Sequence, residues 1–343
     1  MNKMDRLHVA GLDPAALRQL FKDTGIPSFR ADQVFHWIHN KAVGTFEQMH
    51  NVPKNIIEYL SHEYGSPVAL TCILERQSTD GTIKFLFQLT DGNTIEAVYI
   101  PETDRGTLCV SAQVGCAMNC SFCATGQSGY VRNLSRAEIV SQVNYVRQHT
   151  GSLTNIVFMG MGEPFANFEE VMAAIDILND PAGMNLGQRR ITISTCGLVN
   201  EIRRFADLNT QINLAISLHA PDNTRRSEIM PVNRRFPIEE LLEACKYYLS
   251  KTNRRISFEY ALIAGFNDSA QDAHDLAKLL KDLLCHCNLI PVNPVGTFGR
   301  PDEARINRFK EILEDAGVPV SVRKERGTDI EAACGQLRQV HGK

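Results

Sequence analysis

The sequence lacks any long hydrophobic run. No stretch of about 18 residues is both uncharged and continuously apolar, as a membrane span requires, and the uncharged segment at 106–131 is rich in Ser, Asn, Gln and Gly. The opening residues, MNKMDRLHVAGLDPAAL, lack the apolar core of a secretory signal. Excess positive charge is missing too: 36 Lys and Arg stand against 39 Asp and Glu, a formal net charge of −3. That excludes the bulk cation of a non-specific nucleic-acid coat, so any RNA or DNA partner must meet a local basic surface. A dispersed disulfide framework is likewise absent. The ten cysteines lie at 72, 109, 116, 120, 123, 196, 245, 285, 287 and 334, clustered mid-chain. A cytoplasmic location is the default, and in a reducing compartment such clustering points to metal binding or catalysis.

What is present is an ordinary globular composition, 43% apolar and 22% charged over 343 residues. The first part reads as helical. Asp13-Pro14 is an N-cap with Pro at the first helical position, followed by Leu17, Leu20 and Phe21. Further periodic stretches carry Val34, Phe35 and Ile38, then Ile56, Ile57 and Leu60. Alternation replaces this at Val68, Leu70, Cys72 and Leu74, and again at Ile83, Phe85, Phe87 and Leu89. Asp80-Gly81 and Asp91-Gly92 punctuate the runs, which predicts a short antiparallel meander.

From Thr107 the pattern becomes strand, loop, helix, repeated. Strands are expected at 108–114, 155–159, 191–195, 212–218, 256–262, 288–291 and 318–323, with capping boxes at Ser135/Glu138 and Ser269/Asp272 opening two of the helices. Alternating βα units imply a parallel sheet, and six are too few for a closed eight-stranded barrel. The expected fold is α/β: a partial (β/α)6 barrel with an N-terminal helical accessory domain and a small antiparallel β extension. A doubly wound open sheet is the alternative. The expected divisions are 1–65 (helical, RNA-binding), 66–104 (antiparallel extension), 105–325 (barrel) and 326–343 (tail).

Unusual segments follow five of these strands, where α/β barrels place their active-site rim. Cys116-Ala-Met-Asn-Cys120-Ser-Phe-Cys123 follows the first strand. A C-x3-C-x2-C triplet can ligate three irons of a [4Fe-4S] cube and leave one iron open to chelate S-adenosylmethionine. The alternatives are a ferredoxin-like site or a structural zinc completed by Cys109 or His219, although zinc more often takes paired C-x2-C units. Gly160-Met-Gly-Glu163 follows the second strand; by itself it could be only a tight turn, since it lacks the third glycine of a dinucleotide fingerprint.

With these motifs the chain resembles the radical S-adenosylmethionine superfamily, whose cofactor-binding "GGE" segment Gly160-Met-Gly-Glu163 is similar to. Five further segments narrow the resemblance: Val34–Trp37, Cys109-Val-Ser-Ala-Gln-Val-Gly-Cys116, Phe158-Met-Gly-Met-Gly-Glu-Pro164, Ser217-Leu-His-Ala-Pro221 and Asp329-Ile-Glu-Ala-Ala-Cys-Gly-Gln336. Together they resemble the RlmN/Cfr family of adenine methyltransferases acting on RNA. The resemblance implies that Cys116, Cys120 and Cys123 bind the cluster, and that Gly162, Glu163, Ser194, Ser217, Leu218, His219 and Asn293 contact S-adenosylmethionine.

It also implies that Cys334 is methylated by one S-adenosylmethionine and is then converted to a methylene radical by a second. The radical adds to electron-poor carbon 2 of adenine, forming a protein–RNA bond. Glu96 is the implied proton acceptor (Cys109 is the other candidate), and attack by Cys109 on the Cys334 sulfur releases methylated RNA and leaves a Cys109–Cys334 disulfide. Without the resemblance, Glu96 on an alternating strand reads as a solvated face. The implied targets are adenine 2503 of 23S ribosomal RNA, before assembly is complete, and adenine 37 of transfer RNAs. The implied electron donor is a flavodoxin or ferredoxin, and a monomer is expected. Gly162-Glu163-Pro164 and Arg323-Lys-Glu-Arg-Gly-Thr-Asp329 are similar to the RlmN branch. Cfr proteins, which methylate carbon 8 and confer antibiotic resistance, carry Ala after that Glu and Phe before that Gly. A non-enzymatic RNA-binding protein with structural zinc remains the reading from another class. Cys72, Cys196, Cys245, Cys285 and Cys287 match no catalytic position, while Arg30, Trp37, Lys41 and the Arg doublets at 189–190, 203–204, 225–226, 234–235 and 254–255 are candidate RNA contacts.

Overall fold

The computed structural model describes residues 8–151, 153–292, 298–332 and 335–337. Two residues singled out by sequence, Asn293 and Cys334, lie outside the described residues. Three helices come first: α1 (Pro14–Asp23), α2 (Phe29–Phe35) and α3 (Lys54–Tyr64). Asp13 caps α1 by accepting from Ala16 N, with Pro14 at the first helical position. The apolar stripes Leu17/Phe21 and Ile56/Leu60 are buried.

One ten-stranded sheet organises the rest. Strands β1 (Leu70–Gln77), β2 (Ile83–Leu89), β3 (Thr94–Glu102) and β4 (Arg105–Cys109) form an antiparallel meander. The chain then forms β5 (Gln113–Gly115), a short helix α4 (Ala124–Gln127) and β6 (Tyr130–Asn133), with β5 and β6 pairing as a separate ribbon. Helix α5 (Arg136–Thr150) leads to β7 (Asn155–Phe158), which joins β4 in parallel. The alternation continues through α6 (Phe168–Asn179), β8 (Ile191–Thr195), α7 (Val199–Asp207), β9 (Asn213–Ser217), α8 (Asn223–Ile229), α9 (Ile238–Thr252), β10 (Ile256–Leu262), α10 (Ala270–Leu280), β11 (Cys285–Pro291), α11 (Glu303–Asp315) and β12 (Val320–Val322). The order is β1-β2-β3-β4-β7-β8-β9-β10-β11-β12, parallel from β4 onward and open at both edges. This is the expected partial barrel, and the meander is its continuous edge, joined through the β3–β4 pair.

The expected strand at 108–114 is instead two strands in different sheets. Between them α5 intervenes: Gln142 accepts from Ser111 N (2.9 Å) and donates to Ser111 O (3.0 Å), taking the place of a neighbouring strand. Ser111 Oγ donates to Glu96 O at 2.6 Å. With both backbone groups of Ser111 satisfied by one buried side chain, the chain leaves the sheet without stranding polar groups. Helix α5 therefore buries polar as well as apolar faces, Ser141, Gln142 and Asn144 included.

After β12 the tail turns back over the meander. Gly327 N donates to Asp80 Oδ2 (3.0 Å), Asp329 accepts from Ser78 Oγ and Thr79 N, and Lys84 Nζ donates to Glu331 O (3.2 Å). Further on, Ala124 N donates to Gly335 O (2.8 Å) and Thr125 Oγ1 to Leu337 O. The tail is thus anchored first on the β1–β2 turn and β2, and then on α4, directly after the cysteine loop. Burial alone would raise the Asp80 carboxyl, but the amides of Thr82 and Gly327 and the hydroxyls of Thr82 and Ser78 outweigh it and bring it down to about 2. A carboxyl depressed by folding contributes stability above its unfolded value near 3.8, and loses it as pH falls toward 2. Asp329→Ala, which removes the other latch, should raise the rate of protease cleavage within the tail several-fold while leaving the global unfolding midpoint within a degree or two. Limited proteolysis followed by mass spectrometry measures this.

Candidate radical-chemistry site

The cysteine loop after β5 and the loops after β7, β8 and β9 meet at the C-terminal edge of the parallel strands, around a cavity of about 180 Å3. Cys116, Cys120 and Cys123 border it together with Gly160, Gly162, Glu163, Ser194, Ser217 and His219. The cysteine loop is held by Cys116 N→Gly129 O (2.8 Å), Ser121 N→Ile229 O (3.0 Å) and a left-handed Asn119. Burial pushes the Cys116 thiol up to about 12, with Glu163 and Cys123 adding to the shift. Cys120 is raised further, by burial and then by Cys123, Cys116 and Glu163. Thiols so placed ionise only when a cation compensates them, which iron does. Among the described residues no three His, Cys, Asp or Glu side chains converge on one metal ion; a cube presents a separate iron to each thiolate. The donor set fits such a cluster.

The Gly160–Glu163 turn packs too tightly for side chains. A Cβ on Gly160 would lie 2.6 Å from Val110 O, and Gly162, at φ +95°, would put one 2.4 Å from Gln113 Cβ. Glu163 is buried, and its two oxygens accept from Phe165 N (3.0 Å) and Cys196 N (2.8 Å), so it ties the β7 loop to the β8 loop. Burial raises its pKa, partly offset by those amides. Ser194 Oγ and Ser217 Oγ are 3.5 Å apart, and Leu218 is buried with its amide on Glu259 O. His219 sits at φ +59° against Phe122. Ala261 N donates to its Nδ1 at 2.9 Å, which leaves the ring proton on Nε2. Burial, then the Arg226 charge, lower His219 to about 3.

A second cavity of about 450 Å3 adjoins the first, sharing Met159, Glu259, Ile290 and Arg323. Cys109 lines it, as do Ala332 and Leu337, while Gly335 borders the first cavity. Register places Lys84, Val98 and Cys109 in one row across β2, β3 and β4, with Glu96 two residues from Val98 on the same face. Glu96 is 4% exposed and its carboxylate lies 3.1 Å from Lys84 Nζ, so the solvated-face reading is overturned.

The Arg doublets fall in unlike places. Those at 189–190 and 254–255 precede β8 and β10, at the barrel end away from the cysteine loop. The 203–204 pair lies on α7, where Arg204 pairs with Glu169. Arg234 and Arg235 are exposed after α8, and Arg323, Lys324 and Arg326 line the larger cavity. Arg226 is the missed residue. Although charged and in a doublet, it is fully buried; it donates to Leu218 O (3.0 Å), Asn233 Oδ1 (2.8 Å), Cys196 O (2.6 Å) and Ser217 O (3.1 Å). Burial lowers its pKa to about 10. Glu163 and Arg226 thus grip Cys196 by its amide and its carbonyl, linking the ends of β8 and β9. Cys285 and Cys287 are buried on β11, without a metal group among the described residues. Trp37 Nε1 donates to Asn51 Oδ1 at 2.6 Å, and Arg30 to Gln33 and Asn51.

Known proteins agree with this architecture. Residues 110–280 match the radical SAM superfamily, and 7–64 match the ribosomal RNA large subunit methyltransferase N-terminal domain. A probable dual-specificity RNA methyltransferase RlmN from Thermoanaerobacter sp. (strain X514) is 48% identical over 327 residues, covering 94% of this chain and 95% of the relative. Another protein with that description, from Desulfitobacterium hafniense (strain Y51), is 47% identical over 353 residues, covering 99% and 98%. A solved radical SAM methyltransferase from Sphaerobacter thermophilus superposes with a TM-score of 0.94 at 49% identity, covering 97% of this chain and 99% of its own.

Replacing Arg226 by Met would strand three carbonyls and an amide oxygen at the rim, and is expected to cost about 3 to 5 kcal/mol. Arg226→Lys should recover less than half of that, because an ammonium cannot span the fork. Denaturant unfolding of the full chain reads both.

Proposed function

We propose a specific reaction for this chain, which belongs to the RlmN/Cfr family of radical S-adenosylmethionine RNA methyltransferases. It is an RNA methyltransferase of the radical SAM class, and the proposed product is adenine methylated at carbon 2, at position 2503 of 23S ribosomal RNA and position 37 of transfer RNAs. The observation that carries this reading is the convergence at the rim. The tail residues Ala332 and Leu337 border the cavity lined by Cys109, and Gly335 borders the cavity lined by the cysteine triplet.

A bound cluster and S-adenosylmethionine would supply a 5′-deoxyadenosyl radical at the smaller cavity. Cys116, Cys120 and Cys123 would hold the cluster. Backbone and hydroxyl groups at Gly162, Ser194, Ser217 and Leu218, with His219 and Asn293, would orient the cofactor, while Glu163 holds two of those loops together. Cys334 would carry the methyl group, Glu96 would take the ring proton, and Cys109 would attack the Cys334 sulfur. That last step breaks the carbon–sulfur bond, forms a disulfide and leaves the electron pair on the carbon, which takes up a proton. Cys109 lies next to Val98 in register and so shares the Glu96 face, which supports the pairing of roles. No helix among the described residues is long and apolar enough to cross a membrane. The target adenine must be unstacked to reach these groups, which favours single-stranded loops. Exposed Arg234 and Arg235, on the same side as the cysteine loop, would contact phosphates. The divisions 1–65, 66–104, 105–325 and 326–343 are part of this proposal, with helices α1 to α3 as an accessory RNA-binding unit.

Carbon-8 methylation is the competing product, and mass spectrometry of RNA fragments treated with reconstituted enzyme decides between them. The expected product carries methyl on carbon 2; methyl on carbon 8 overturns the assignment. Cys334→Ala should abolish methylation, Cys109→Ala should accumulate covalently bound RNA, and Cys120→Ala should lose most of its iron and sulfide.

A further inference from the structure

Lys84 occupies a position where a lysine is costly. It lies on β2 between Ile83 and Phe85, is 8% exposed, and faces the same side of the sheet as Val98 and Cys109. A buried ammonium persists only where partners compensate its lost hydration. Among the described residues Lys84 has two, belonging to different parts of the machinery: Glu96 Oε1 at 3.1 Å and Glu331 O at 3.2 Å. The first is the carboxylate assigned above as proton acceptor. The second is a tail carbonyl next to Ala332, which lines the Cys109 cavity.

We propose that Lys84 is a positioning residue for methyl release: it fixes the Glu96 carboxylate and the tail backbone in one register, so that the acceptor lies beneath the adenine joined to the tail. The proposal rests on the reading of Glu96 as that acceptor. In the step it serves, the odd-electron adduct gives up one electron to a one-electron acceptor, a role open to a bound iron–sulfur cluster; a carbon–hydrogen bond of the adenine ring breaks, an oxygen–hydrogen bond forms on Glu96, and the electron pair of the broken bond stays with the ring. A carboxylate free to rotate would meet that proton in only a fraction of its conformers. The backbone oxygen of Glu331 adds a distance constraint, since one ammonium bonds both oxygens at once. Steps preceding proton removal do not need this contact.

The test uses the full chain with reconstituted cluster and a 23S ribosomal RNA fragment containing the target adenine. Lys84→Met, Glu96→Gln and the double variant are compared with the parent for 5′-deoxyadenosine, for covalent protein–RNA adduct, and for kcat and KM of methylated RNA release. K84M is expected to form 5′-deoxyadenosine and adduct but to release product about tenfold or more slowly, with KM for RNA unchanged. Because both members of the pair act as one unit, K84M/E96Q should be no slower than E96Q alone. Since the double variant removes both charges, it stays informative if K84M alone leaves Glu96 unpaired and unfolds the sheet. Parent-like release by K84M beside a stalled E96Q overturns the proposal and leaves the Glu96 reading intact. Additive losses in the double variant overturn it too, as does failure of a K84M protein that folds and holds its cluster to form adduct. Parent-like release by E96Q overturns the Glu96 reading itself.

Discussion

The tail is pinned at both the meander and the segment after the cysteine loop, and the geometry of the rim depends on that constraint. Asp80, Ser78, Thr79 and Lys84 hold it on the meander, and Ala124 and Thr125 hold it on α4, directly after the cysteine loop. Ala332 and Leu337 of the tail line the cavity that Cys109 also lines. The meander therefore does more than extend the sheet. It supplies a surface against which the end of the chain is set in register with groups more than 200 residues away in sequence.

Keeping charged groups in such a place requires compensation from several directions. Arg226 has no carboxylate among the partners described here and is held by oxygens of four residues, while Glu163 is held by amides. One residue, Cys196, sits between them: its N–H, in the peptide unit before it, binds Glu163, and its C=O, in the peptide unit after it, binds Arg226. Each hydrogen bond has one charged partner, which makes it stronger than a neutral one. The arrangement stiffens the ends of β8 and β9 beneath a site that must admit a bulky cofactor without reshaping. Lys84 and Glu96 solve the same problem with direct contact.

Much of this was legible because local chemistry and tertiary role coincided. The Ser135/Glu138 and Ser269/Asp272 capping boxes are present, and the strands at Ile191–Thr195 and Ile256–Leu262 have the expected bounds, since short apolar, β-branched runs between helical segments leave few alternatives. Residues 108–114 misled because their apolar alternation continues through Val110 and Ala112, while the break depends on Gln142, some thirty residues later. Arg226 and Lys84 were opaque for a related reason. A charged side chain carries no local mark of burial; only the oxygens that fold around it make burial tolerable.

The amino-acid order by itself determined the alternation of strands and helices, the spacing of three thiols on one loop, and the glycines that let the Gly160–Glu163 turn press against Val110 and Gln113. These depend on dihedral preferences, caps and short-range sterics, which act between near neighbours. Tertiary structure alone decided that Glu96 is buried against Lys84, that Arg226 ties two strand ends together, and that the tail returns to the meander. Those outcomes arise from desolvation and hydrogen bonding among groups distant in sequence, and their energies exist only once the chain has closed around them.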